Sequence, residues 1–217
     1  MIININKPTG WSSFDVVKKI KSITSHKKVG HGGTLDPFAS GVLIIGTEFD
    51  TKKLTDITNY DKVYEAQLEL GKTTNTLDTE GEIIQTKEIP KLDSRKIISV
   101  LNEFLGKQKQ KPPMYSAKKH KGVRLYRLAR KNIEVNREDV EISIHSIELL
   151  DFTKDIIRFI VECSKGTYVR VLGQDIAKKL GTVGYLSALK RNSVGDYLIS
   201  DSLSIEGFQN KWKSIDH

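Results

Sequence analysis

Asp36 is the carboxylate of this sequence whose setting best suits chemistry. It lies within Gly30-His31-Gly32-Gly33-Thr34-Leu35-Asp36-Pro37-Phe38-Ala39-Ser40-Gly41, where the glycines let the backbone turn tightly or approach a ligand closely. Pro37 fixes its own φ and biases Asp36 toward extended backbone, so the acid has little freedom to slide into a helix. An ionised carboxylate held in this way can act as a nucleophile or as a base. A plainer reading stands beside that one, because Asp-Pro is a common turn former. The apolar run Val42-Leu43-Ile44-Ile45 that follows can anchor the loop in a core.

Other chemistries find little support. Five histidines and the single Cys163 show no metal-ligand spacing, and neither a phosphate-binding Gly-Lys-Ser/Thr loop nor a dinucleotide fingerprint is present, so neither metal nor organic cofactor is expected. One cysteine excludes an internal disulfide and fits a reducing cytoplasm. No stretch is long and apolar enough to span a membrane, and the opening residues, broken by asparagines and Pro8, do not read as a signal peptide.

The chain has 217 residues, 29% of them charged and 38% hydrophobic, which predicts a soluble globular protein of one large domain with at most a small appendage. Its 35 Lys and Arg exceed 27 Asp and Glu, and ten of those basic residues with none of the acidic ones fall between 107 and 131. Such a concentration of positive charge points to a polyanion, nucleic acid first. Pro112 and Pro113 interrupt any amphipathic helix that could lie on lipid there.

Periodicity supplies the elements that must position these groups. Ile2, Ile3 and Ile5 predict an opening strand, and Ser12 with Asp15 forms a capping-box pattern ahead of Val16, Val17, Ile20 and Ile23 at helical spacing. A helix is expected over 50–58. Residues 63–70 alternate, with Tyr64, Ala66, Leu68 and Leu70 on one face. On that pattern alone Tyr64 is core. Further strands are expected over 83–87, 140–149 and 156–163, with a helix over 94–105 and a helical tail over 203–212; the alternation makes Cys163 a buried apolar residue and not a nucleophile.

Taken together, several of these segments resemble the TruB family, the tRNA pseudouridine-55 synthases. The central stretch is similar to that family's Gly-His-Thr-Gly-Thr-Leu-Asp-Pro-Leu-Ala-Thr-Gly, with Gly32 in place of a threonine. The resemblance extends to Lys7-Pro8-Thr9-Gly10-Trp11-Ser12-Ser13, to Asp61-Lys62-Val63-Tyr64 with Leu70-Gly71-Lys72-Thr73-Thr74, to Cys163-Ser164-Lys165-Gly166-Thr167-Tyr168-Val169-Arg170, and to Tyr185-Leu186-Ser187-Ala188-Leu189-Lys190-Arg191. It covers roughly residues 1–200.

What the resemblance implies is an α+β pseudouridine synthase fold: a single catalytic domain over 1–200 on a long mixed β-sheet with flanking helices, a basic thumb at about 107–131, and a short tail over 201–217 where family members commonly continue into a small RNA-binding domain. It makes Asp36 the catalytic aspartate, Tyr64 the tyrosine that stacks on the target base and accepts its proton, and Arg170 the arginine that pairs with the aspartate. It places Lys7, His31, Tyr168 and Leu189 at the substrate, with His31 filling the space left by a flipped nucleotide. Lys111, Lys118, Lys119, Lys121, Arg124 and Arg127 of the thumb would bind RNA phosphates. Tyr185 stands where the family usually has histidine, and Lys190 where it has arginine.

The expected activity is isomerisation of the T-loop uridine at tRNA position 55 by a cytoplasmic monomer that needs no protein partner, no membrane and no cofactor. A non-catalytic RNA-binding or tRNA-folding protein on the same scaffold is the alternative. Asp36, Tyr64 and Arg170 in combination argue against it, since binding alone requires none of them together.

Overall fold

An apolar run without alternation, such as residues 42–45, needs cover on both strand faces, and the computed structural model, which describes residues 1–214, provides it. In chain order the elements begin β1 (Ile2–Lys7), α1 (Ser13–Thr24), β2 (Val29–His31) and β3 (Ser40–Thr47). A 3-10 helix (Glu48–Lys53) leads into α2 (Leu54–Thr58), then β4 (Lys62–Leu70), β5 (Lys72–Thr74), β6 (Ile83–Thr86), α3 (Ser94–Asn102) and β7 (Gly106–Gln110). There follow β8 (Lys119–His120), β9 (Val123–Arg124), α4 (Leu125–Ala129), β10 (Val140–Phe152) and β11 (Ile156–Cys163). The last are α5 (Val169–Lys179), β12 (Gly184–Val194), β13 (Tyr197–Leu198) and α6 (Ile205–Lys213). Among the described residues no helix is long and apolar enough to cross a membrane.

The chain forms two compact units, one of residues 1–65 with 189–217 and the other of residues 66–188, their limits falling within β4 and β12. Within the expected tail over 201–217, residues 215–217 lie outside the described ones, and the rest belongs to the first unit. Ser204 caps α6, and Phe208 and Trp212 pack against Ile3, Ile5, Val16, Ile20 and Leu43.

In the first unit β3 pairs antiparallel with β1 and β2 and parallel with β12, giving a mixed sheet. Leu43 and Ile45 face the cluster built on α1, while Val42 and Ile44 face Leu54, Ile57 and Val194. This two-sided burial is why the run does not alternate. The capping box of Ser12 and Asp15 is formed as the spacing predicts. Residues 50–58, expected as one helix, are divided between the end of the 3-10 segment and α2.

The second unit carries β4, β11, β10 and β7 in that order, with β10 antiparallel to both neighbours. Tyr64, Ala66, Leu68 and Leu70 are buried along β4, and Ile157, Phe159, Val161 and Cys163 along β11, in the phase that the alternation requires. Helix α3 ends at Asn102, short of the expected 105. Its last turn tightens into bonds from the Phe104 and Leu105 amides to the Leu101 and Asn102 carbonyls before Gly106 turns away at φ 90°.

Gly41 shows how closely β3 and β12 approach. It has φ 108°, and a Cβ there would lie 2.2 Å from the Arg191 carbonyl oxygen. Gly41→Ala therefore meets both a conformational penalty and backbone that cannot yield. The expected loss is at least ~3 kcal/mol, measured as a fall in unfolding midpoint; a midpoint equal to wild type would contradict this packing.

Candidate active site

The loop that carries Asp36 is fastened from several directions. The Ser13 hydroxyl accepts from the Leu35 amide at 2.9 Å and donates to the Leu35 carbonyl at 3.0 Å, so the start of α1 grips the residue before the acid. The Gly32 amide donates to the Ile44 carbonyl, the Gly10 amide to the Pro37 carbonyl, and the Ala39 amide to the Asp36 carbonyl. That last bond makes residues 36–39 a β-turn with proline second, so the plain reading of Asp-Pro as a turn former is also true. Leu35 and Phe38 are buried on either side, and Asp36 is half-buried between them.

Lys7 has a part in this that its sequence setting does not disclose. Its side chain is fully buried, and its ammonium donates to the carbonyls of Pro8, Trp11 and Pro37. These bonds tie the turn after β1 to the turn bearing Asp36.

Arg191 is the functional candidate that sequence reasoning passed over. It is 1% exposed within β12, beside Gly41. Its Nε donates to the Val42 carbonyl at 2.7 Å, and its terminal nitrogens donate to the Thr34 and Gly33 carbonyls at 3.3 and 3.2 Å. One of them also stands 3.5 Å from the Tyr64 hydroxyl, with the guanidinium carbon 6.0 Å from that ring's centroid. A single buried cation therefore spans β3, the two residues ahead of Leu35, and the phenol at position 64. Of the other expected site residues in this unit, His31 is half-buried and Leu189 is buried. The sequence signal for Arg191 was its place in the last matching motif.

Arg170 belongs to the second unit, at the start of α5, and is buried with Asp78. Its Nη1 lies 3.3 Å from Asp78 Oδ2 and also donates to the Thr76 carbonyl, while Nη2 donates to the Tyr115 carbonyl at 2.8 Å. Asp78 Oδ1 in turn accepts from the Thr76 hydroxyl at 2.6 Å and the Glu80 amide at 3.0 Å. The ion pair shown for Arg170 is thus with Asp78, a residue the sequence reading gave no role. Tyr168, half-buried, is held by its backbone: the buried Gln110 carboxamide donates to its carbonyl and accepts from its amide.

The basic segment folds as more than a loop. Lys121 and Gly122, both at positive φ, turn β8 into β9, which suits a two-residue hairpin, and α4 follows directly. Lys111, Lys118, Lys119, Lys121, Arg124 and Arg127 are all exposed. Lys119 and Arg124 sit directly opposite each other, a like-charged cross-strand pair that costs stability unless an anion lies nearby.

A family model described as TruB family pseudouridylate synthase (N terminal domain) matches residues 21–169. The chain belongs to the TruB family. It is 43% identical over 218 residues to tRNA pseudouridine synthase B of Dehalococcoides mccartyi, covering 99% of this chain and 73% of the relative. It is 46% identical to the protein of the same name in Clostridium tetani, covering 94% of this chain and 71% of that one. A chain in the crystal structure of a Cbf5-Nop10-Gar1 complex superposes with a TM-score of 0.78 at 28% identity, over 100% of this chain and 56% of that one. This chain therefore spans little more than half the length of that neighbour. The fold is the α+β pseudouridine synthase fold, as the resemblance implied, and this TruB-family chain is a pseudouridine synthase by its relatives.

Where TruB proteins usually carry histidine, the Tyr185 hydroxyl donates to Glu69 Oε2 at 2.8 Å. Burial first, and the Glu69 carboxylate second, push this phenol up to about 12. Because the folded state holds the proton more tightly than the unfolded chain, the resulting stabilisation is complete below pH ~10 and is lost as pH rises toward ~12. Tyr185→Phe is expected to flatten that part of the stability-versus-pH curve, followed by chemical unfolding between pH 9 and 12. An unchanged curve would refute the linkage.

Proposed function

We propose that this protein isomerises uridine to pseudouridine at position 55 in the T loop of tRNA. The observation that carries the reading is the Asp36 turn, fastened by Ser13, Gly10 and Lys7 and joined through Arg191 to Tyr64. Its support from outside is that curated relatives covering most of the chain are named tRNA pseudouridine synthase B.

The reaction breaks the C1′–N1 glycosidic bond, turns the uracil, forms a C1′–C5 bond, and removes the C5 proton while N1 takes up one, so that product and substrate are isomers. The base stays in the site throughout and no electrons are exchanged with a cofactor. Asp36 supplies the carboxylate, as nucleophile or as base toward the ribose. Tyr64 stacks on the uracil and takes the C5 proton, and the resemblance assigns Arg170 to keep Asp36 ionised. Extruding the stacked uridine costs a few kcal/mol, offset by phosphate contacts from the basic hairpin.

The test is incubation with an unmodified tRNA and with its isolated T-arm hairpin, followed by carbodiimide mapping of pseudouridine. Product at position 55 of the tRNA and at the matching uridine of the hairpin is expected. RNA that is bound but left unmodified would replace this reading with a non-catalytic binder.

A further inference from the structure

The charge count by sequence places the excess of cations between 107 and 131, yet the first unit is not evenly mixed. Helix α1, the Lys27-Lys28 loop, β2 and the 3-10 segment enclose a groove of about 600 Å³ whose lining includes Lys18, Lys21, Lys27 and Lys28 but no carboxylate. All four lysines are exposed. Among the described residues Lys21 and Lys27 have no ion-pair partner, and the Lys18 pair with Asp15, at 3.6 Å, is itself largely solvated. Glu48 lies outside the groove's lining; its Oε1 accepts from the Lys27 and Lys28 amides, and its carboxylate also meets the Lys28 charge.

Beneath the lysines the groove is apolar, with Val17 and Leu54 in its lining, and a low-dielectric floor strengthens the field of the cations above it. At its side Phe14 is 61% exposed with the Lys18 ammonium 4.8 Å from its ring centroid. Cations tracking a groove beside an exposed ring are what a strand of nucleic acid uses, phosphates on the former and a base on the latter. His31 lines the same groove, and the chain runs from it to Asp36 in five residues, at most ~18 Å when extended.

We propose that this groove is a second RNA-binding surface, separate in sequence from the basic hairpin, which holds the strand flanking the target uridine with phosphates on Lys18, Lys21, Lys27 and Lys28 and a base on Phe14. The proposal rests on the pseudouridine synthase reading of the site and names how that site receives its substrate.

The experiment measures T-arm hairpin affinity against salt, and product formation separately, in Lys21→Glu/Lys27→Glu and in the milder Lys21→Gln/Lys27→Gln. A control pair, Lys91→Glu/Lys96→Glu, makes the same change in net charge on exposed residues elsewhere. The groove charge reversal is expected to weaken binding at least tenfold at 0.1 M salt and to reduce the slope of log K against log[salt] by about 1.4–1.8. The Gln pair gives a smaller loss in the same direction, the control pair stays within twofold, and turnover at saturating RNA is preserved. Equal weakening by groove and control pairs, or none by either, overturns the proposal while leaving the activity in place. Wild-type binding that depends on the groove but yields no pseudouridine overturns the activity and leaves the groove standing. Polyglutamate bound as tightly as the hairpin would overturn the assignment to RNA.

Discussion

Asp36→Asn protein is expected to bind the T-arm hairpin within a few-fold of wild type and to form essentially no pseudouridine. The substitution is nearly isosteric, and what fastens the loop is the Ser13, Gly10 and Ala39 bonds to backbone atoms together with buried Leu35 and Phe38, none of which needs the carboxylate. Binding free energy comes mainly from phosphate contacts made elsewhere. Only chemistry should fail. The size of the failure separates the two roles open to Asp36: loss of a general base costs about 10²–10⁴ in rate, whereas loss of a nucleophile can approach about 10⁶. Single-turnover release of tritium from C5-labelled uridine gives the number. Turnover near the wild-type rate would remove Asp36 from the mechanism and return the Asp-Pro turn to a purely structural part.

The second large effect concerns stability. In Arg170→Met the Asp78 carboxylate, whose side chain is 3% exposed, loses the cation 3.3 Å away. Breaking one side of a buried pair leaves an uncompensated charge and costs about 3–5 kcal/mol, much more than the pair contributes over a well-packed apolar replacement. The Thr76 and Tyr115 carbonyls lose their donor as well. Arg170→Met with Asp78→Leu should therefore recover a substantial part of the loss, because the stranded charge is gone. Urea unfolding followed by far-ultraviolet circular dichroism is the measurement, since both tryptophans, Trp11 and Trp212, lie outside the unit concerned. A single variant as stable as wild type, or a double variant no better than the single, would refute the account.

Both expectations turn on polar groups whose partners are far away in sequence, and that marks the boundary of what could be read from the chain. Apolar phase is written locally. The alternation in β4 and β11 fixes which side chains are buried, the Ser12 and Asp15 pair fixes where α1 begins, and Pro37 fixes the turn that presents Asp36. The concentration of lysine and arginine around the hairpin is likewise a property of composition. These features depend on neighbours a few residues away, so the sequence by itself determined them.

Partner choice among buried polar groups was decided by tertiary structure. Arg191 reaches Tyr64 across 127 positions and the Thr34 carbonyl across 157, and it does so because parallel pairing sets Arg191 beside Gly41. Lys7 looks like a turn lysine until the fold closes carbonyls around its ammonium. The four lysines of the groove fall in a run without acids, residues 16–35, but that they line one groove is decided only when α1, the loop after it and the 3-10 segment come together. Spacing in sequence encodes which face is buried, whereas strand register decides which charge meets which acceptor, and register is a property of the assembled sheet.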